Sequence, residues 1–284
     1  MILRAGQNVF EFPRSPLVFG SLILGARGPH ENEREHLSAQ LAKARALVDE
    51  GADIIAIRMD LWAVGECELS EAAEWASVRT FVKSWREAEF GEPLALGTRR
   101  LHVAEMALAI GIEFLFEPGS ALCTPASSGE SYARLCAKYG AALVICYFIE
   151  GGAKAGVTAD ARDEVALAED FFEVKLRCIL DEGLTKESVV LCVQLGSETD
   201  SGNRLWVHAQ LGRFHRFERP LLLFISRGVS NETFDGNFAE LVEREAAGMV
   251  SKMVRGVMAG VQMFCGEPVK AAAEAVRTVA ALLA

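Results

Sequence analysis

The sequence predicts an α/β fold, a (β/α)8 TIM barrel with a short N-terminal β-hairpin, in a single domain over residues 1–284. Three observations carry this. Short apolar runs recur along the chain, amphipathic helical patterns separate them, and 284 residues is an ordinary length for one such barrel. No stretch reads as a linker between domains.

Val9-Phe10-Glu11-Phe12, preceded by Gly6-Gln7-Asn8, reads as a small hairpin able to plug the N-terminal end of a barrel. The first barrel strand falls near Leu17–Leu24. Leu37 to Glu50 has helical periodicity and stops at Gly51, and Ile54 to Ile57 follows as a buried apolar run. A helix near 32–50 and a strand near Asp53–Ile57 therefore form the first αβ unit. The same reasoning places strands near Pro93–Leu96, Glu113–Phe116, Ala142–Tyr147, Val189–Val193, Leu221–Ile225 and Gly260–Phe264. Helices are expected near 69–88, 101–110, 128–139, 164–182, 203–214, 234–258 and 268–283. Ile149 to Ala161, with Gly151, Gly152 and Gly156, is the longest irregular connection and is expected to be a mobile loop at the C-terminal face of the barrel.

Composition narrows the partners. A net charge of −10 opposes a polyanion, whose neutralisation needs clustered Lys and Arg, so nucleic acid is not expected. No run reaches the ~18 apolar residues of a membrane span. Seven cysteines are scattered without a CxxC or a zinc-ligand spacing, which suggests reduced thiols in a cytoplasm and no bound metal. The apolar run Pro16 to Gly25 is long enough for the core of a signal peptide, but Glu11 upstream opposes that reading.

Several fragments, in order and spacing, resemble dihydropteroate synthase, the pterin-binding barrel of folate biosynthesis. Leu3-Arg4-Ala5-Gly6 and Pro16-Leu17-Val18-Phe19-Gly20 look like that family's hairpin and first strand, and Gly51-Ala52-Asp53-Ile54-Ile55 is similar to its second. Leu96-Gly97-Thr98-Arg99 with Val103-Ala104-Glu105 resembles its third strand and helix. Pro220-Leu221-Leu222 through Ser226-Arg227 resembles its seventh strand, and Gly260-Val261-Gln262-Met263-Phe264 its eighth. The resemblance implies condensation of a dihydropterin pyrophosphate with p-aminobenzoate, Mg2+ as cofactor, and a homodimer through the C-terminal helices.

The chain departs from that pattern at the strand ends. Ser21-Leu22-Ile23-Leu24 stands where the family has an Asn, Gly97 where it has an Asp, and Phe116-Glu117 where it has Asn followed by Asp. Cys192-Val193-Gln194 replaces an Asp-Pro-Gly element, Gly228 a Lys, and Cys265 and Glu267 an Arg and a His. A charge-assisted hydrogen bond to a buried ligand is worth ~1.5–3 kcal/mol, so losing three costs very roughly 5–9 kcal/mol if they add. Mg2+ is expected only if the pyrophosphate chemistry survives.

The residues left to bind a substrate are Arg58, Asp60, Thr98, Arg99, Glu117, Gln194, Ser226, Arg227 and Glu267. Arg58 and Asp60 either pair with each other or contact a ligand. Thr98, Arg99 and Arg100 either hold an anion in bidentate geometry or shield the following helix. Glu117, ahead of Pro118-Gly119, is a general base, a metal ligand or a solvated charge. Gln194, Ser226 and Arg227 sit in the best-aligned strands, and Arg227 either binds phosphate or pairs with Glu267. Cys146, Cys192 and Cys265 all end strands, as packing or as a cluster at the mouth. Met249, Met253 and Val257 form a helical stripe that packs on the sheet or forms a dimer face.

Three functions are open at this point. One is a diverged synthase-like protein of pterin metabolism, a transferase if it is active at all. A second is a non-catalytic paralogue or partner protein, whose mouth should be filled by side chains such as Phe116, Cys192 and Cys265. A third is a methyl-folate-dependent methyltransferase barrel or an enzyme of altered substrate, taking a pterin or another small anionic ligand.

Overall fold

The computed structural model describes residues 1–13, 15–24, 32–59, 69–117, 131–149, 161–195, 209–225 and 238–283. A hairpin of β1 (Ile2–Ala5) and β2 (Asn8–Glu11) opens the chain, paired from Ile2 with Glu11 to Ala5 with Asn8. Its turn uses Gly6 at φ +59°, the left-handed backbone that favours glycine.

Eight parallel strands then close a barrel: β3 (Leu17–Ile23), β4 (Ile54–Arg58), β5 (Leu94–Gly97), β6 (Phe114–Glu117), β7 (Ala142–Ile149), β8 (Val189–Leu195), β9 (Leu221–Ile225) and β10 (Met263–Gly266). Each pairs with its successor, and β10 returns to β3 through Met263 opposite Leu17. Around them run α1 (Glu33–Asp49), α2 (Glu71–Glu87), α3 (Leu101–Ala109), α4 (Tyr132–Tyr139), α5 (Ala161–Asp181), α6 (Phe238–Met258) and α7 (Val269–Leu283). The expected fold class, hairpin included, is the one found.

Helix ends follow local chemistry. The side chains of Asn32, Ser70 and Ser131 cap α1, α2 and α4 by accepting from Arg34, Ala73 and Arg134 backbone N–H groups. Gly140 at φ +69° stops α4, its N–H returning to Cys136 O. Two expectations shift. The last strand begins at Met263 rather than Gly260, because Gly260 and Val261 still donate to Val257 and Gly256 at the end of α6. Of the helix expected over 203–214, the described part continues as a 3-10 run, Leu211–Phe217, which ends at Glu218 with φ +55°.

Period-two alternation divides the core into two shells. Leu17, Phe19, Ile54, Ala56, Ala95, Phe114, Val144, Val190, Cys192, Leu222 and Met263 point into the barrel, where Leu3, Ala5 and Phe12 of the hairpin segment join them. The intervening residues, among them Ile55, Leu115, Leu143, Leu191 and Leu223, face the helices with Phe81, Trp85, Phe172 and Phe214. The hairpin thus closes the N-terminal end, and Gly6 N–H donates to Gly140 O at 2.9 Å. At the same end Glu113 accepts from Leu94 N–H at 2.8 Å and from Arg86 at 2.6 Å. Burial raises the Glu113 carboxyl above its usual range, against both of those donors.

Met249, Met253 and Val257 are all buried, packed in the helix-facing shell. The stripe read from the sequence is therefore core. Gly256 of the same helix lies so close to β10 that a Cβ there would stand 2.7 Å from Phe264 Cε1, which fixes the helix against the strand.

A candidate ligand site at the barrel mouth

At the C-terminal end of the strands the inward positions are Ala56 and Arg58 on β4, Gly97 on β5, Phe116 on β6, Cys146 on β7, Cys192 and Gln194 on β8, Phe224 on β9 and Cys265 on β10. They enclose a cavity of about 20 Å³. Among the described residues that is room for roughly one water molecule.

Two of the expected substrate-binding residues, Arg58 and Gln194, are brought together on this cavity. The Arg58 guanidinium carbon stands 5.5 Å from the centroid of the Phe224 ring, a cation–π distance. Its Nε is buried and has no hydrogen-bond partner among the described residues. Ser21, on the inward face of β3 beside Ala56, likewise has a buried hydroxyl without a hydrogen-bond partner among the described residues.

The other described candidates lie elsewhere. Glu117 follows Phe116 by one residue and so takes the opposite face, where Lys175 of α5 donates to it at 2.6 Å. Burial raises the Glu117 carboxyl, although the Lys175 ammonium opposes this. Thr98 is wholly buried, its hydroxyl donating to Glu74 of α2, which also pairs with Arg100. Tyr132 donates to Thr98 O at 2.9 Å, and burial beside Glu117 and Glu74 pushes its phenol up. Arg99 is exposed, and Glu267 is exposed just beyond β10. Asp60, Ser226 and Arg227 lie outside the described residues, as does most of the connection from Ile149 to Ala161.

The inward thiols are packed as unreactive groups. Cys146 and Cys192 are opposite each other on β7 and β8. Cys192 is raised well above the usual thiol range, first by its hydrogen bond with Cys146 and then by burial. Burial likewise pushes Cys265 up to about 12, although the Arg58 charge pulls it down.

Sequence reasoning missed two features. Phe224 follows from alternation along Leu221–Ile225, which places it inside with Leu222. The carboxylates near the strand ends have partners distant in sequence, Glu74 with Arg100 and Glu117 with Lys175, which no local spacing signals.

Mg2+ takes oxygen ligands in octahedral geometry and is usually anchored by carboxylates. The described mouth offers the Gln194 amide and no carboxylate, and no group of three His, Cys, Asp or Glu among the described residues is arranged to hold a metal ion. The described part of the lining supplies no carboxylate for Mg2+.

Residues 30–265 match the model of the family described as pterin binding enzyme. Over 257 residues the chain is 27% identical to a dihydropteroate synthase of Neisseria meningitidis serogroup B, covering 87% of this chain and 85% of that protein. Yersinia pestis dihydropteroate synthase, solved with a pterine-sulfa conjugate, superposes with a TM-score of 0.77 at 21% identity over 100% of this chain and 99% of that one. The Anaplasma phagocytophilum dihydropteroate synthase, solved with 6-hydroxymethylpterin-monophosphate, gives 0.77 at 16% identity over 95% and 100%. Among the described residues no helix is long and apolar enough to cross a membrane.

Proposed function

We propose, from the premise that this chain belongs to the pterin binding enzyme family, that it is a diverged dihydropteroate-synthase-like protein of pterin metabolism that no longer condenses a dihydropterin pyrophosphate with p-aminobenzoate. One observation carries the reading. The described mouth is lined by Phe116, Phe224, Cys146, Cys192 and Cys265, with Arg58 and Gln194 as its described polar side chains, while the described carboxylates nearby, Glu117 behind β6 and Glu74 on α2, are held in ion pairs. A pterin's amino and ring N–H groups need acceptors, and a described lining whose one side-chain amide is Gln194 leaves most of them unpaired at about 1–3 kcal/mol each. The non-catalytic reading also agrees with a cavity of about 20 Å³ among these residues.

Calorimetric titration with a dihydropterin pyrophosphate and Mg2+, followed by an assay of pteroate formation with p-aminobenzoate, tests this. We expect neither saturable heat at millimolar ligand nor product. Product at a rate dependent on Mg2+ would sink the reading.

The altered-ligand variant of this proposal draws on Arg58, a cation facing the mouth without a described counter-ion. The homodimer proposed from the family resemblance is supported by exposed apolar side chains at the ends of the last two helices: Met258 is 60% exposed, Leu282 79% and Leu283 61%. Light scattering should give twice the chain mass, falling to one with Leu282→Glu and Leu283→Glu together; a monomeric parent protein would remove the proposal. We also place the protein in the cytoplasm, supported by described cysteines that are all unpaired, and a full count of free thiols in the denatured protein checks this.

A further inference from the structure

We propose that the barrel mouth binds an oxyanion on Arg58, one oxygen of a carboxylate or phosphate group entering the cavity beside its Nε. This goes beyond the loss of the condensation, which says nothing of what the mouth takes up instead.

The charges at this level of the barrel are sorted by face. The Glu117 carboxylate looks outward from β6 and is matched by Lys175, and Glu74, on α2 outside the barrel, is matched by Arg100. Arg58 looks inward and no described carboxylate answers it. A guanidinium over an aromatic ring keeps part of its stabilisation when water is excluded, and the 5.5 Å approach to Phe224 supplies this for Arg58. The guanidinium is planar. Its hydrogens lie in the plane, and the one on Nε meets no acceptor among the described residues. Side-on donation from Nε and a terminal nitrogen is the geometry in which arginine holds carboxylate and phosphate.

Size and polarity select the same class. The cavity of about 20 Å³ that Arg58 and Gln194 share has room for one oxygen-sized atom. Gln194 adds an amide able to donate to a second oxygen of the same group. Compared with a site that holds a pterin through a carboxylate acceptor, the charge at this mouth is reversed: its described ionised group, Arg58, is a donor and favours a ligand that brings acceptors.

Arginine Nε–H resonances of 15N-labelled protein, followed at constant ionic strength during separate titrations with acetate, benzoate and inorganic phosphate, test this. Arg58→Lys identifies the Arg58 signal by its loss. We expect that signal alone to move and saturate with at least one anion; saturation with the carboxylates only, or with phosphate only, names the group. By calorimetry Arg58→Gln should weaken the same anion about tenfold or more. No saturable movement, equal movement of every arginine signal, or unchanged affinity in Arg58→Gln would each overturn the proposal. None of these readouts involves pterin or turnover, so product in the condensation assay and silence in this titration are separate results.

Discussion

Lys175→Met is expected to destabilise the protein by about 3–5 kcal/mol at neutral pH, because it leaves the Glu117 carboxylate buried without its cation. The two side chains are 7% and 18% exposed and 2.6 Å apart, so solvent does little to replace the lost partner. The pH dependence identifies the cause. Burial already holds the Glu117 carboxyl above its usual value despite Lys175, and without Lys175 it rises further. A carboxyl whose folded value is raised takes up its proton in the native state at a pH where the unfolded chain is still ionised. The deficit of the variant is therefore full at neutral pH, above the raised folded value, and shrinks as pH falls toward the unfolded value of about 4.3. Thermal unfolding at pH 7.5 and at pH 5 should show the gap to the parent protein narrowing. A gap of constant size would assign the loss to packing. In the double variant with Glu117→Leu most of the stability should return, since an apolar pair of similar volume is often neutral or better.

Phe114→Ala should cost a similar ~3–5 kcal/mol, for a different reason. Phe114 is fully buried on the barrel axis, with ring centroids 6.2 Å from Phe10 of the hairpin and 6.0 Å from Phe19. Phe19 in turn meets Phe116 at 6.1 Å, so one column of aromatic rings runs from the plug to the mouth. Removing Phe114 opens a void in the middle that close-packed neighbours fill only in part. Urea unfolding measures the loss, and Phe114→Leu should recover part of it. A cost below ~1 kcal/mol would mean that the hairpin slides inward and closes the void.

Most of the architecture was legible because it depends on short-range signals. Short apolar runs such as Leu17–Phe19, Ile54–Ala56 and Leu221–Leu223 mark the strands, and Gly51 ends a helix where glycine relaxes the backbone, at φ +108°. The site was harder to read because a strand changes face at every residue. Phe116 and Glu117 both stood at the expected place, and one step of parity puts the ring at the mouth and the carboxylate behind the sheet. Alternation from Phe114 contains that answer. What it does not contain is Lys175, 58 residues further on and brought alongside by α5. Gly260 misled for a related reason: its apolar successors resemble a strand start, yet its positive φ of 80° completes the helix before it.

The hairpin plug has a consequence for how such a chain changes over generations. One end of the barrel is stoppered by Leu3, Ala5 and Phe12, so the packing of that end is supplied by the hairpin segment and not by the strand ends at the mouth. Substitution at the open end is then screened chiefly for chemistry, while the stoppered end is screened for survival of the molecule. Thiols and phenyl rings can therefore stand at the inner strand ends, as Cys146, Cys192, Phe116 and Phe224 do, without loss of the fold.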